Sequence, residues 1–377
     1  MPNENLANAR RARNDEFYTQ YQDIEKEVNA YLDYDPHTFR NKTVLLPCDD
    51  PEWSNFTKYF AQNFERLGLR KLVSTSYAVE SKNYPADWQP TLFETENPRY
   101  EVEKSRVCGK IFVLNHDTNR NGRIDIEDLQ WEYLQGDGDF RSEEVRHLRN
   151  EADIIVTNPP FSLFREFLAW IVEAEKQFLI IGNMNAITYK ETFPLIKENR
   201  MWLGATGFVS DMVFGVPKGA QVKESDRAKA ARLGFVGDFT RLGNSCWFTN
   251  LEHGRRHQPL QLMTMEDNLR YSKHKDLRGQ KEYLHYDNYD AIEVPYTDAI
   301  PNNYDGVMGV PISFLDKYCP EQFEILGVTQ RNDDPYKIKK YTVEEYPNAN
   351  DLNARGVIII DGVPKSMYAR VLIKHKP

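Results

Sequence analysis

The chain has 377 residues, of which 40% are hydrophobic and 28% are charged, and its formal net charge is −9. This composition is typical of a soluble globular protein, and the length allows a main domain with a large core plus a smaller domain. No stretch approaches the roughly 20 apolar residues of a membrane span. The polar start Met-Pro-Asn-Glu-Asn has no apolar signal core. We therefore expect a cytoplasmic protein that does not act in a membrane.

The cysteines and the charge pattern restrict the function further. The four cysteines are scattered and form no C-x-x-C pair, which favours reduced thiols over a zinc site or a disulfide frame. The negative net charge argues against DNA binding by the whole surface, but phosphate binding depends on a local basic face. Basic clusters occur at residues 10–13, 255–257, 273–281 and 337–340. Each cluster alone is compatible with a solvated surface, but their concentration after residue 250 points to a nucleic-acid-facing C-terminal third.

Taken in chain order, the hydrophobic pattern alternates between strands and helices. Residues 1–13 are polar and are predicted to form a mobile arm. Strands are predicted over residues 44–47, 72–77, 106–115, 152–157, 178–182, 201–208 and 246–250, and helices near residues 21–34, 53–67, 162–175 and 187–199. The order strand, turn, helix, strand predicts a doubly wound sheet, with the last two strands antiparallel. Residues 209–245 are rich in glycine and charge and are predicted to be a loop or a small insertion.

The most informative segment is Asn158-Pro159-Pro160-Phe161, between an apolar strand and an amphipathic helix. Open α/β sheets bind ligands at the carboxyl ends of their strands, where this turn is expected. Proline has no N–H, so the turn offers carbonyl acceptors, to which Asn158 adds its side-chain carbonyl. Phe161 adds an aromatic face for stacking. These groups suit a planar ring with an exocyclic amine, although Asn-Pro-Pro alone is equally common as a simple turn after a strand.

The same segment resembles the catalytic motif of the amino-methyltransferases that act on adenine N6 in DNA. The longer string at residues 157–165 is similar to the EcoRI-type adenine-specific modification methylases. Further strings that resemble this family occur in the family's order at residues 14–19, 136–142, 180–190, 247–252, 309–317 and 368–373. Together these strings are specific, whereas any one of them would not be.

The resemblance implies an α/β fold with a doubly wound, mostly parallel seven-stranded sheet of the S-adenosylmethionine-dependent methyltransferase (Rossmann-like) type. It implies a mobile arm at residues 1–13, a catalytic domain at residues 14–252 that binds S-adenosylmethionine (AdoMet), and a DNA target-recognition region at residues 253–377. The expected partner is double-stranded DNA. We expect the chain to act as a monomer. A cognate restriction endonuclease is a possible partner that the reaction does not require.

The expected reaction carries the AdoMet methyl group to N6 of an adenine flipped out of the duplex. The Asn158 side chain and the Pro159 carbonyl would accept the two amine hydrogens, and the base would stack on Phe161. Tyr189 and Trp202 are candidate further walls, with core packing as the simpler role for Trp202. Related sites that methylate protein glutamine or ribosomal RNA usually carry Tyr at the fourth motif position and a glycine-rich first turn. This chain has neither feature.

The family resemblance also implies a set of donor-binding residues. It comprises Phe17, Tyr18, Thr19, Cys48, Asp49, Asp50, Asp139, Phe140 and Asn158. In this family Asp139 would accept the adenine amine of the donor, with Phe140 beside the ring. Asp49 or Asp50 could accept a hydrogen bond from the donor's α-ammonium group, and a turn that caps the next helix is an alternative of comparable weight. Phe17 and Tyr18 are alternatively core anchors, and Glu80 is a weak candidate for the ribose.

Two further sets of residues have patterns that indicate a ligand. The spacing of Asp117, Asn119, Asn121, Asp125 and Asp128 resembles a calcium loop, but Asp128 occupies the position where a bidentate Glu is usual. A turn that uses Asp and Asn chemistry is the favoured alternative, and a primary calcium-binding function would leave the other motifs unexplained. The predicted DNA contacts are Arg255, Arg256, Lys273 and Lys275. A structural extension of the sheet is the alternative role for this C-terminal region.

Overall fold

The structure is a computed structural model, and it describes residues 18–49, 54–78, 95, 99–208, 212–216, 222–330 and 335–377. The chain divides into two compact units. The first unit contains residues 1–186 and 203–253, and the second contains residues 187–202 and 254–377. Among the described residues, no helix combines the length and the apolar character that crossing a membrane requires.

The strands and helices are numbered in chain order. The strands are β1 (Tyr18–Thr19), β2 (Thr43–Pro47), β3 (Lys71–Ser76), β4 (Lys110–Leu114), β5 (Gln130–Tyr133), β6 (Ile154–Thr157), β7 (Gln177–Asn183), β8 (Trp202–Leu203), β9 (Val213–Gly215), β10 (Phe239–Arg241), β11 (Ser245–Thr249), β12 (Ile292–Glu293), β13 (Met308–Pro311), β14 (Phe323–Val328), β15 (Val357–Ile360), β16 (Val363–Ser366) and β17 (Arg370–His375). The helices are α1 (Tyr21–Tyr34), α2 (Asn55–Gln62), α3 (Phe64–Leu67), α4 (Val102–Val107), α5 (Glu143–Glu151), α6 (Phe164–Glu173), α7 (Phe193–Lys197), α8 (Glu224–Arg232), α9 (Met265–Tyr271) and α10 (Ala349–Asn353).

An eight-stranded mixed sheet with the order β5-β4-β3-β2-β6-β7-β11-β8 forms the framework of the first unit. The neighbours β3, β2, β6 and β7 are parallel, whereas β4 is antiparallel to both β3 and β5, and β11 is antiparallel to β7. The mixed α/β class is as predicted, but the seven-stranded, mostly parallel sheet is not what the structure shows. Antiparallel neighbours need no crossover helix, and the loop from β4 to β5 contains only a short 3-10 turn at Ile126–Asp128.

The strand order creates a switch point between β2 and β6. From β2 the chain continues to β3 on one side, and it later returns to β6 on the other side of β2. The last residues of the four parallel strands are Pro47, Ser76, Thr157 and Asn183. Because parallel strands end at the same edge of a sheet, these residues define one edge, termed here the carboxyl edge. Ligands of open α/β sheets bind outside such an edge at the switch point.

Local sequence explains why these elements form. Every residue of β2 and β6 is buried, as expected for apolar strands in the middle of a sheet covered on both faces. α1 buries Ile24 and Val28 at helical spacing. The Ser54 hydroxyl caps α2, and Gly68, with a φ of +65°, ends α3. The helix predicted over residues 53–67 is interrupted at Asn63.

Residues 209–245 contain more regular structure than the sequence predicted. They include β9, α8 and β10, and β9 pairs antiparallel with both β1 and β10. The strands of this small sheet have two or three residues, which is too short for a periodic hydrophobic signal. The Asn55 side chain at the start of α2 donates to the Thr19 carbonyl at 2.8 Å. This bond holds β1 near the turn that follows β2.

The second unit has a four-stranded sheet with the order β12-β13-β17-β14 and a hairpin formed by β15 and β16. The Arg370 guanidinium donates to the buried Glu293 carboxylate at 2.5 Å, and the Tyr286 hydroxyl donates to the same carboxylate. Because a buried charge is stable only when it is paired, these contacts tie β17 to β12 across the intervening strand β13. The helix predicted over residues 187–199 is present only as the short α7.

Candidate active site

The turn after β2 lies at the carboxyl edge, where many nucleotide-binding sheets have a glycine-rich turn. Cys48 has a φ of +77°, a left-handed conformation that glycine adopts most easily. Asp49 is buried, and its backbone N–H donates to the Thr75 carbonyl at 2.9 Å. Asp50, like Phe17 and Glu80, lies outside the described residues. The chain therefore makes a tight backbone turn here without a glycine.

The Asp49 carboxylate is held by two protein hydroxyl groups. Ser54 donates to Oδ1 at 2.7 Å, and Thr157 donates to Oδ2 at 2.6 Å. The Ser54 hydroxyl accepts from the Phe56 N–H at 3.1 Å, so Ser54 itself caps α2. The sequence alternatives for Asp49 were a donor contact and a helix-capping turn. The geometry favours a variant of the second, in which the aspartate holds the capping serine.

The Asn-Pro-Pro-Phe turn follows directly from Thr157 at the end of β6. Asn158 and Phe161 are half-buried, and Pro159 is buried. The Leu163 N–H donates to the Pro160 carbonyl at 2.9 Å and closes a 3-10 turn that leads into α6. Phe161 packs in part against the main core of the first unit. The turn therefore lies at the carboxyl edge, as predicted from the sequence, and Phe161 has both a core-facing and a partly exposed side.

Residues 136–140 reach the same edge by a route that the sequence did not predict. They follow β5, an antiparallel strand, and not the third parallel strand of a doubly wound sheet. The Ala78 N–H, just after β3, donates to the Asp137 carbonyl at 2.8 Å. Gly138 has a φ of +82°, and a side chain there would collide with the Ser76 carbonyl. Only glycine allows this segment to cross so close to the end of β3.

The two residues that were predicted to hold the donor adenine have other contacts. The Arg141 guanidinium donates to both carboxylate oxygens of Asp139, at 2.9 Å from Nε and 2.6 Å from Nη2. These hydrogen bonds raise the pKa of Arg141 above its usual value. Phe140 is only 1% exposed, and its ring centroid lies 5.0 Å from that of Phe167 and 5.6 Å from that of Trp170. Phe140 is therefore packed in the core here, and its position beside the donor stays a prediction.

Tyr77 is a residue of the site that the sequence interpretation missed. It follows β3 at the carboxyl edge, and the Cys48 thiol donates to its hydroxyl at 3.5 Å. Burial, followed by the nearby Cys48 and Asp139, raises the pKa of Tyr77 well above its usual value, so the phenol stays protonated. Its place as the last residue of the second predicted strand was the available signal. Tyr18 is half-buried and Thr19 is buried in β1.

The calcium-like loop uses its oxygen atoms internally. Asp128 accepts from the backbone N–H groups of Thr118, Asn119 and Asp125 at 2.7–3.1 Å, and from the Thr118 hydroxyl at 2.8 Å. Although burial opposes the charge, these bonds lower the pKa of Asp128 to about 2. Asp117 accepts from the N–H groups of Asn121 and Gly122. The remaining loop oxygens also accept within the loop: Asn119 from Asn121, Asn121 from Arg123, and Asp125 from Glu127.

This pattern is that of a turn stabilised by Asp and Asn side chains. In the described part of the chain, no group of three or more His, Cys, Asp or Glu side chains is arranged to hold a metal ion.

The predicted DNA contacts in the second unit fall into two pairs. Arg256 is buried, with its guanidinium carbon 3.6 Å from the Trp202 ring centroid and a hydrogen bond to Asn199, so it does not form part of an exposed basic face. Arg255 donates to Asp316 at 2.5 Å. In contrast, Lys273 and Lys275 are exposed, and Lys273 makes a surface ion pair with Asp298 at 2.6 Å. Only the lysine pair keeps the exposure that a phosphate contact requires.

Comparison with known proteins gives a consistent result along nearly the whole chain. The family model described as adenine-specific methyltransferase EcoRI matches residues 5–376. The chain is 38% identical to the type II methyltransferase M.EcoRI of Escherichia coli over 375 residues, which are 99% of this chain and 97% of that protein. It is 32% identical to the type II methyltransferase M.MpnI of Mycoplasma pneumoniae, over 98% of this chain and 97% of that protein.

A third relative is the type II methyltransferase M.MgeORF184P of Mycoplasma genitalium, which is 31% identical over 98% of both chains. No solved structure matches the chain significantly. The matches to the family model and to full-length relatives confirm the resemblance that the motifs indicated. The chain therefore belongs to the EcoRI family of adenine-specific DNA methyltransferases.

Proposed function

We propose that this methyltransferase transfers the methyl group of AdoMet to N6 of an adenine that is flipped out of double-stranded DNA. The observation that carries the proposal is the position of the Asn158 turn. It lies at the carboxyl edge, at the switch point between β2 and β6, where an open α/β sheet binds its ligands. An adenine stacked inside a duplex cannot reach a site at the end of a strand, so the base has to leave the duplex.

The residues at the carboxyl edge fit a nucleotide-sized donor in part. Tyr18, Cys48, Tyr77 and Asn158 are all half-buried, so each retains some accessible surface at this edge. The left-handed backbone at Cys48 supplies the tight turn that glycine supplies in other families. Asp139 and Phe140 fit less well, because one is engaged by Arg141 and the other is buried in the core. We assign donor contacts to Tyr18, Cys48 and Tyr77 of the first set, because the side chain of Asn158 faces the acceptor amine.

Bound AdoMet supplies an activated methyl group, and the protein's part is to orient the acceptor amine and stabilise its charge. The N6 lone pair is delocalised into the adenine ring and is a poor nucleophile. The side-chain carbonyl of Asn158 and the backbone carbonyl of Pro159 accept the two N6 hydrogens. They also face the positive charge that develops on the nitrogen, which is preorganised electrostatic stabilisation. The partly exposed side of Phe161 stacks on the flipped base.

The second unit is assigned to DNA recognition. It contains 20 Lys and Arg residues and 20 Asp and Glu residues. The first unit contains 28 Lys and Arg residues and 37 Asp and Glu residues, so the whole net charge of −9 belongs to the first unit. Phosphate contacts are therefore less opposed by charge in the second unit than in the first. Lys273 and Lys275 supply exposed cations there. The proposal requires one copy of the chain and no nuclease subunit.

The test is direct detection of the product. Purified protein is incubated with AdoMet that carries a labelled methyl group and with double-stranded DNA, and the DNA is digested to nucleosides. The expected result is label in N6-methyl-2′-deoxyadenosine, with methylation confined to one sequence in the DNA of cells that express the protein. Label in 5-methylcytosine, in RNA or in protein, with none in adenine, would contradict the proposal.

A further inference from the structure

The ends of β2 and β6 are joined by side chains where their backbone pairing stops. The recorded β2–β6 register runs through Val44 with Ile154 and Leu45 with Ile155. Beyond it, the Thr157 hydroxyl lies 2.7 Å from the Pro47 carbonyl and 2.6 Å from Asp49 Oδ2. A hydroxyl has one hydrogen, and a carboxylate is the stronger acceptor, so the bond to Asp49 dominates. At the switch point, a side-chain hydrogen bond thus takes the place of the backbone hydrogen bonds between β2 and β6.

Asp49 is held by hydrogen bonds at its backbone and at both carboxylate oxygens. Its N–H donates to Thr75, and the Ser74 hydroxyl donates to its carbonyl. Its second carboxylate oxygen accepts from Ser54, the cap of α2. Asp49, Ser54 and Thr157 are each at most 6% exposed. One buried carboxylate therefore connects the ends of β2, β3 and β6 with the start of α2.

We propose that Asp49 is a positioning residue, which acts through Thr157 on the neighbouring Asn158 and does not bind the donor's ammonium group. The inference rests on the proposed function, because it concerns the alignment of Asn158 with the acceptor amine. The Thr157 hydroxyl is thus bonded to an aspartate that three other contacts hold in place, two at its backbone and one at its second carboxylate oxygen. The next residue in the chain is Asn158, so the same bond holds the backbone from which the Asn158 side-chain carbonyl extends. Displacement of a reacting group by about 1 Å can cost about 100-fold in rate.

The decisive pair of variants is Thr157→Val and Thr157→Ser. Valine keeps the shape of threonine but removes the hydroxyl, whereas serine keeps the hydroxyl. We expect Thr157→Val to lower kcat by about 10- to 100-fold with the KM for AdoMet changed by less than about threefold, and Thr157→Ser to restore most of kcat. Rates are divided by the concentration of sites that bind AdoMet, so that an unfolded fraction does not affect the comparison.

Thr192→Val is the matched control. Thr192 is also buried, belongs to the second unit, and has no side-chain hydrogen-bond partner within the described ranges of the chain. We expect its kcat to stay within about twofold of wild type. If Thr157→Val behaves like this control, the inference is overturned.

Asp49→Asn separates positioning from donor binding. Wild type and Asp49→Asn are each tested for binding of AdoMet and of an analogue that lacks the α-amino group. If Asp49 only positions Thr157, both proteins lose the same factor in affinity when the amine is removed. If Asp49 binds the ammonium, the wild type loses affinity and the variant does not, and the inference fails.

Amide hydrogen exchange of the apoprotein supplies a readout that does not depend on activity. We expect exchange at Thr157 and Asn158 to be faster in Thr157→Val than in wild type and near wild type in Thr157→Ser. Unchanged exchange in Thr157→Val would overturn the inference. A wild-type protein that makes no N6-methyladenine would overturn the proposed function, and the exchange measurement would still decide whether the bond holds the turn.

Discussion

The first unit carries the whole net negative charge of the chain, whereas the second unit is formally neutral. In the first unit, polar side chains at the carboxyl edge form hydrogen bonds with other protein groups, as Asp49, Thr157 and Asp139 do. In the second unit the Lys and Arg residues equal the Asp and Glu residues in number, and Lys273 and Lys275 are among the exposed cations. The difference suggests a division of labour in which one unit orders a reaction site and the other contacts a polyanion. Variants in the two units should therefore change different measured quantities.

The largest effect is expected for Asn158→Ala in the first unit. Loss of one preorganised electrostatic group typically lowers turnover by about 100-fold or more, while AdoMet and DNA binding should change little. Single-turnover methylation measures the rate, and calorimetry measures the binding. Asn183→Ala is a matched control, since Asn183 is also half-buried and ends the neighbouring parallel strand β7. Turnover above about a tenth of wild type in Asn158→Ala would contradict the assignment.

Phe161→Ala should weaken capture of the flipped adenine by about 1–3 kcal/mol, the value of one lost stacking partner. The effect should be smaller on DNA whose target adenine is mispaired, because less unstacking then opposes flipping. The measurement is the Kd and the single-turnover rate on matched and mispaired duplexes. Equal losses on both would show that Phe161 acts only through its contact with the core.

In the second unit, the double variant Lys273→Glu with Lys275→Glu should weaken DNA binding and flatten its dependence on salt. Each lost phosphate contact reduces the salt slope by about 1, and AdoMet affinity should not change. The charge-matched control is Lys26→Glu with Lys104→Glu, two exposed lysines of the first unit. If the affinity and the slope are unchanged in the first double variant, the recognition surface lies elsewhere, at residues 209–245 or in the N-terminal arm.

The smallest effect concerns stability in the first unit. The hydrogen bonds to Asp128 hold its folded-state pKa at about 2, below the usual 3.8. The carboxylate therefore stabilises the fold fully above about pH 4, and this contribution is lost as the pH falls towards 2. Asp128→Asn should lower the free energy of unfolding by about 1–3 kcal/mol at pH 6 and by less at pH 3.

Urea denaturation at the two pH values measures the Asp128 effect. Asp117→Asn in the same loop is the control, and it should show a smaller difference because Asp117 is only half-buried. A difference between wild type and Asp128→Asn that does not change with pH would show that the folded-state pKa is not lowered. Millimolar calcium should leave the unfolding curve of wild type unchanged, since the loop oxygens already accept internal hydrogen bonds.

Much of the first unit could be predicted because its signals are local. An apolar run, two prolines and an amphipathic segment were enough to place β6, the Asn158 turn and α6. The direction of β4 and β5 could not be predicted, because strand direction depends on pairing between distant residues. The three-residue strands β9 and β10 were missed because they are too short to show a hydrophobic repeat.

The candidate site could be located from the sequence more easily than its residues could be given roles. Asp49 and Asp139 are both aspartates at turns, and both were predicted to contact the donor. Asp49 is instead bonded to Thr157, more than a hundred residues away in the chain, whereas Asp139 pairs with Arg141 two residues later. The packing of Phe140 against Phe167 and Trp170 is likewise a tertiary property. Residue type and spacing do not encode such partners.

The interleaved path of the chain has a consequence for how new specificities can arise. The second unit begins with residues 187–202, and these are tied to its later part, since Arg256 contacts both Trp202 and Asn199. A single recombination event after His253 would exchange residues 254–377 and keep the original residues 187–202. The contacts of Arg256 with Trp202 and Asn199 would then be lost or altered. Inheritance of a complete foreign second unit therefore requires three crossovers, two that bracket residues 187–202 and one after His253. Divergence within one lineage by point substitution is the simpler evolutionary route for this architecture.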